Sequence, residues 1–197
     1  MNTSNSKATG KVYVTCKDHT VTGKDFDLVI DAEREMLITS PKPEKFEISG
    51  YYQSQEYISH TDSNKTIVDK IYQLVKKHML QKKLKWINRK MPAKGRLLDI
   101  GAGTGDFLVE AKNTGWKING IEPNEKARAF ALRKGIKLEG DSTKFKSNKF
   151  DVITLWHVFE HVYDVRAQVI ELEHLLKKGG LLIIAVPNFN SYDAQYY

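Results

Sequence analysis

Hydrophobic and polar positions change period three times along the 197-residue chain. Residues 1–10 are polar and read as a disordered leader. From Lys11 to about Pro43 the period is two: Val12 and Val14, then Phe26, Leu28 and Ile30, then the short run Met36 to Thr39. With Gly23 and Asp31 to Glu35 as turns, this pattern predicts a small antiparallel meander that needs a packing partner to be stable. After a tyrosine-rich segment, Tyr51 to Asp62, the period becomes helical. Asp62 or Ser63 is placed to cap a helix carrying Ile67, Ile71, Leu74 and Val75. A second apolar set, Leu80, Leu84, Ile87 and Met91, is offset from the first and predicts a bend near residue 80, with Pro92 and Gly95 ending the region.

From Arg96 onward strand and helix patterns alternate, which predicts a parallel sheet of right-handed βαβ units. Strands are expected at Arg96–Ile100, Trp116–Glu122, Ile136–Glu139, Phe150–Trp156 and Leu181–Val186. The intervening helices are expected from about Gly105 to Thr114, from Pro123 or Asn124 to Gly135, and from Asp164 through Lys178, with Gly179-Gly180 breaking the last. The architecture expected is α/β, an open Rossmann-like sheet in the order 3-2-1-4-5 between helices, with a small N-terminal β and helical appendage.

Bulk properties narrow the class. The composition, 41% hydrophobic and 28% charged, is that of an ordinary folded chain. No apolar run approaches the roughly 20 residues that span a bilayer, and the N-terminus has no signal-peptide core, so a cytoplasmic protein with no membrane partner is expected. Cys16 is the single cysteine, which excludes an internal disulfide framework. Cys16 and His19 have the spacing of half a zinc knuckle, but no second pair stands nearby, so no metal is expected. The net charge is +7, and between Lys65 and Arg96 eleven Lys or Arg accompany one acid, Asp69. Tyr72 and Trp86 stand alone among these charges, so the run reads as a solvated helix face rather than a nucleic-acid surface.

The chemistry concentrates at Arg96-Leu-Leu-Asp99-Ile-Gly101-Ala102-Gly103-Thr104-Gly105-Asp106. An apolar strand with an acid near its end meets three glycines spaced two apart. Glycine tolerates positive φ and lets a ligand approach the backbone closely. The related nicotinamide fingerprint, G-x-G-x-x-G, requires glycine where this chain has Asp106, which makes a nicotinamide oxidoreductase the lesser alternative. Glu122, 21 residues after Gly101 at the end of the second strand, is placed to take both hydroxyls of a ribose. Asp141, with Pro123 and Ser142 as further cofactor contacts, is placed near an adenine amino group, or it caps a turn.

The run from Asp99 to Gly105 resembles the first motif of class I S-adenosylmethionine-dependent methyltransferases. Together with Leu155-Trp156-His157-Val158-Phe159-Glu160-His161-Val162, it resembles the type 11/23 branch that includes the ubiquinone-biosynthesis O-methyltransferases. The resemblance implies S-adenosylmethionine as cofactor and S-adenosylhomocysteine as product. It implies that Asp99, Gly101, Ala102, Gly103, Thr104 and Gly105 surround the cofactor, that Trp156 and His157 line the cofactor and acceptor pocket, and that His161 faces it. Either histidine suits a general base on a hydroxyl or acid acceptor, or both are structural. The tyrosine-rich segment stands where many methyltransferases carry a lid, with Tyr52, Tyr57 and His60 as candidate substrate contacts. Thr39 to Pro43, with Tyr51-Tyr52 and Tyr57 to His60, resembles an appendage of uncharacterised bacterial members.

The organisation this implies is an N-terminal β and lid element over 1–60, a basic helical connector over 61–95, and a cofactor domain over 96–197. The full class I sheet continues 3-2-1-4-5-7-6, whereas this chain ends eleven residues after its fifth expected strand. A fragment, or a natural short form whose open edge a partner covers, is expected, with a homodimer as one such arrangement. The expected activity is methyl transfer to an oxygen of a small molecule, with a non-catalytic cofactor-binding or RNA-associated module as the alternative.

Overall fold

In the computed structural model, residues 10–31, 33, 35–44, 47–51 and 67–196 are described. The candidate lid residues Tyr52, Tyr57 and His60 lie outside them. The chain divides into two units, residues 1–61 with 188–197, and residues 62–187.

In the first unit, β1 (Val12–Lys17), β2 (Asp25–Asp31) and β3 (Met36–Ser40) form an antiparallel meander in that order. Asp18 builds the β1–β2 connection, its two carboxylate oxygens accepting the backbone N–H of Thr20, Val21 and Thr22. Val29 is the buried apolar residue of this sheet, whereas every residue of β1 is exposed. The short helix α1 (Ile48–Tyr51) sets Tyr51 edge-on to Phe26, with ring centroids 6.5 Å apart.

The second unit opens with α2 (Ile67–Lys90), whose hydrogen-bonded helix runs unbroken through residue 80. The two offset apolar sets have different fates. Leu84 and Ile87 are fully buried against the sheet, each contributing about 1.5–3 kcal/mol. Ile71, Leu74 and Val75 remain exposed. Trp116 Nε1 donates to Asn88 Oδ1 at 2.9 Å and fastens the C-terminal half of α2 beside the sheet.

There follow β4 (Arg96–Ile100), α3 (Asp106–Asn113), β5 (Lys117–Ile121), α4 (Glu125–Arg133), β6 (Phe150–Trp156), α5 (Val165–Leu175) and β7 (Leu176–Ala185). The sheet is parallel throughout, in the order β5-β4-β6-β7. The expected third strand, 136–139, contracts to a single parallel bridge, Ile121 to Glu139. It keeps its place beyond β5 through Glu122 N–H to Glu139 O at 2.9 Å and Glu139 N–H to Gly120 O at 3.0 Å. One face of the sheet packs Leu97 and Val152 against α2, α3 and α4, while the other packs Leu98 and Ile153 against α5. Asn124 and Asp164 cap α4 and α5, accepting the N–H of Ala127 and Ala167.

Helix α5 ends at Leu175, short of the expected Lys178. Leu176 pairs with Phe150, and the next paired residues are Leu181 and Val152, so Lys177 to Gly180 bulge from the strand. A final helix, α6 (Tyr192–Tyr196), belongs to the first unit.

Candidate functional site

The loop after β4 bends back on itself because all three of its glycines are left-handed, with φ of 70, 54 and 78° at Gly101, Gly103 and Gly105. Each has a different reason. A Cβ at Gly101 would stand 2.3 Å from Val158 Cγ2, and one at Gly105 would stand 3.1 Å from Ala131 Cβ. A Cβ built at Gly103 would meet nothing within 4 Å, so that side of its backbone is open to a ligand. The N–H groups of Gly101 and Ala102 both donate to Ile121 O, at 2.8 and 2.9 Å, and tie the loop to β5. Thr104 turns its hydroxyl away from the loop to donate to Asp106 Oδ2 at 3.0 Å. Asp106 also pairs with Lys76 of α2 at 2.6 Å and with Lys134 at 2.7 Å, linking the first turn of α3 to two other segments.

Glu122 is buried at the end of β5. Its Oε2 accepts Gly103 N–H at 2.8 Å, and its Oε1 accepts Asn124 N–H at 2.9 Å. Each oxygen keeps a lone pair for another donor, so the carboxylate is aimed and still able to take two hydroxyls. Next to it, Arg128 donates to the carbonyls of Glu122 and the exposed Pro123, both at 2.7 Å.

Asp99 is held across the sheet. The strand pairing places it opposite Thr154, whose Oγ1 donates to Asp99 Oδ1 at 2.6 Å. Its described hydrogen bond therefore runs to the neighbouring strand and not to the loop amides, which are taken by Ile121 and Glu122. Burial pushes the Asp99 carboxyl up to about 7, against the Thr154 hydrogen bond and the positive charge of Lys83. Alternation along the strands puts Asp99, Thr154 and Trp156 on one face of the sheet, the face covered by α2. There Lys83 Nζ sits 4.1 Å from the Trp156 ring centroid. Burial holds the Lys83 ammonium below its ordinary range, opposed by Asp99.

Lys83 is the site residue that the sequence reading missed, absorbed into a basic run taken as a solvated face. The available signal was its spacing, three residues after Leu80 and four before Ile87, on the edge of the buried stripe. Trp156 also meets Phe107 edge-on at 5.7 Å, and its Nε1 is buried with no partner among the described residues.

The remaining candidates are peripheral. Asp141 is exposed, and its Oδ1 takes the Thr143 N–H at 2.9 Å, so it caps a turn and keeps one oxygen for another partner. Ser142 pairs with Glu171. His157 has left-handed backbone, with φ of 57°, anchored by its N–H to Ala185 O at 2.9 Å. Its ring is exposed, with Nδ1 3.7 Å from Glu160. His161 is likewise exposed, in the short 3-10 turn Phe159–His161.

This end of the sheet thus gathers the Glu122 carboxylate aimed at the loop, the open Cβ side of Gly103, and a buried indole N–H of Trp156 beneath the Lys83 ammonium. Residues 68–197 match the family described as "Methyltransferase domain" (Methyltransf_23). An uncharacterized protein of Methanocaldococcus jannaschii is 29% identical over 147 residues, covering 73% of this chain and 63% of that protein. An uncharacterized methyltransferase of Bacillus cytotoxicus is 33% identical over 107 residues, 51% of this chain and 50% of that one. The chain thus spans between half and two thirds of the length of these relatives. Among solved structures, phosphoethanolamine N-methyltransferase 2 of Haemonchus contortus, in complex with S-adenosylmethionine, is similar in fold. Its TM-score is 0.50 at 23% identity, over 59% of this chain and 31% of that one. No described helix is long and apolar enough to cross a membrane. With the family match covering residues 68–197, the chain belongs to the class I methyltransferases of type 11/23, whose cofactor is S-adenosylmethionine.

Proposed function

We propose that this protein moves a methyl group from S-adenosylmethionine to an oxygen of a small-molecule acceptor. The observation that carries the reading is the Glu122 carboxylate, fixed by Gly103 and Asn124 N–H groups with one lone pair left on each oxygen. In this reading Glu122 holds both ribose hydroxyls and Gly103 lets the ligand lie against the backbone. Asp141 and Ser142 border the adenine, with Pro123 beside Glu122. Lys83 and Asp99 present opposite charges to the carboxylate and ammonium of the amino-acid half, and Trp156 Nε1 finds its acceptor there. The cofactor supplies an electrophilic methyl on a sulfonium, so the protein's share of the rate is alignment of the acceptor. His157 or His161 takes the hydroxyl proton as transfer proceeds.

Calorimetric titration with S-adenosylmethionine and S-adenosylhomocysteine tests the cofactor half, with micromolar affinity expected for both. Glu122→Ala removes two charge-assisted hydrogen bonds, about 3 kcal/mol, and is expected to weaken binding about 100-fold. Unchanged binding in that variant overturns the assignment. Incubation with labelled cofactor and mixed hydroxyl and amine acceptors tests the second half, where methylated amines alone would overturn the oxygen acceptor.

A further inference from the structure

The end of the sheet away from Gly101–Gly105 carries a chemistry of its own. Because all four strands of the second unit run parallel, their first residues gather on one edge, and these residues are cationic. Arg96 opens β4 beside Lys117, which opens β5, while Lys149 immediately precedes β6 and Lys177 is the second residue of β7. An open basin of about 500 Å³ lies on this edge, lined by Arg96, Lys144, Lys146, Lys149 and Lys177 together with Ser147 and Asn148. Among the described residues, no carboxylate lines it.

Two of the five cations are matched from outside the basin, Lys144 by Glu139 at 2.5 Å and Lys177 by Asp151 at 2.7 Å. Asp151 is fully engaged, since its second oxygen accepts Arg96 N–H at 2.7 Å. Arg96, Lys146 and Lys149 form no ion pair among the described residues. The Arg96 charge acts on the Asp151 carboxylate, whereas Lys146 and Lys149 lack an acidic partner among the described residues, and cations gathered around a concave surface focus a positive field into it. The planar Arg96 guanidinium presents a fork suited to two oxygens of one phosphate, and lysines add point charges for a second.

The shape and lining select among anions. The volume falls in the range of small-molecule sites, about 300–1,000 Å³. Phe150 is fully buried, and Phe145 is packed against the core with the Lys149 ammonium 4.9 Å from its ring centroid. No aromatic face is therefore offered to the bases of a single strand. We propose that this basin binds a small oligophosphate, such as the diphosphate or triphosphate group of a nucleotide, at the opposite end of the sheet from the cofactor loop. This site stands independently of the methyl-transfer reading.

The test is calorimetric titration of the full chain with sodium tripolyphosphate at low ionic strength. The wild type is expected to bind, and the double variant Arg96→Gln, Lys146→Gln is expected to lose about tenfold or more in affinity. Lys82→Gln, Lys85→Gln removes the same charge from the exposed side of α2 and is expected to leave affinity within about twofold. A thermal melt of each variant verifies folding. Absence of wild-type binding, an equal loss in the α2 control, or tight binding of a short single-stranded RNA that tripolyphosphate fails to displace would each overturn the proposal.

Discussion

Asp99 turns burial into a pH dependence of stability. It is 3% exposed, and that burial raises its pKa from 3.8 to about 7, even with the Thr154 hydroxyl and Lys83 favouring the charge, while Glu122 adds repulsion. A carboxyl with a raised native pKa keeps its proton in the folded state after the unfolded chain has released it. Its contribution to stability is therefore unfavourable and pH-dependent: absent below about pH 4, growing as the pH rises to about 7, and constant above. The gap of about three pH units corresponds to at most about 4 kcal/mol. Asp99→Asn preserves the side-chain shape and the oxygen that accepts from Thr154, and it removes the ionisation. Its stability relative to wild type should be near zero at about pH 4 and should open to a gain of up to about 4 kcal/mol by about pH 8. For a domain of this size that is a rise in Tm of up to about 8–16 °C. Thermal melts of both proteins across this range provide the measurement. Parallel Tm profiles, or a variant that loses ground as the pH rises, would refute the reasoning. The same ionisation bears on the proposed cofactor pose. A ligand ammonium facing Asp99 would draw its proton off, so the heat of binding near pH 7 should vary with the ionisation enthalpy of the buffer.

The glycine loop predicts a contrast between two superficially equal substitutions. Gly101→Ala combines left-handed strain with the Val158 clash and is expected to cost about 2–5 kcal/mol in urea denaturation, whereas Gly103→Ala meets only strain, about 1–2 kcal/mol. Equal losses would sink the steric assignment. Asp106→Asn breaks the ties to Lys76 and Lys134 together and should lower stability by about 1–3 kcal/mol, with the loss shrinking in concentrated salt. A variant as stable as wild type at low salt would show that the ties are incidental.

What was legible in the chain follows from whether a residue's role is set locally. The turn glycines were readable because no other residue adopts their backbone cheaply, and Glu122 because it stands a fixed strand–helix–strand distance from them. The caps Asn124 and Asp164 announced themselves by type and place. Residues whose role depends on a distant partner were not readable. Thr154 looks like any strand threonine until the register sets it against Asp99. Lys83 looks like its neighbours until α2 docks and brings it over Trp156. Leu176 continues a helical spacing from Leu172, yet pairing with Phe150 claims it for the sheet. The third strand failed for a related reason. Its residues end at Gly140 and the Asp141–Thr143 turn, which diverts the chain after one bridge.

The Glu122 clamp on Gly103 also has a kinetic consequence. Since the loop amide is pinned by a buried carboxylate within the fold itself, the loop's ordering entropy is lost during folding and not on association. A ligand should then meet a finished surface and bind in a single phase, without a slow conformational step. Variation among ligands and variants should appear mainly in residence time.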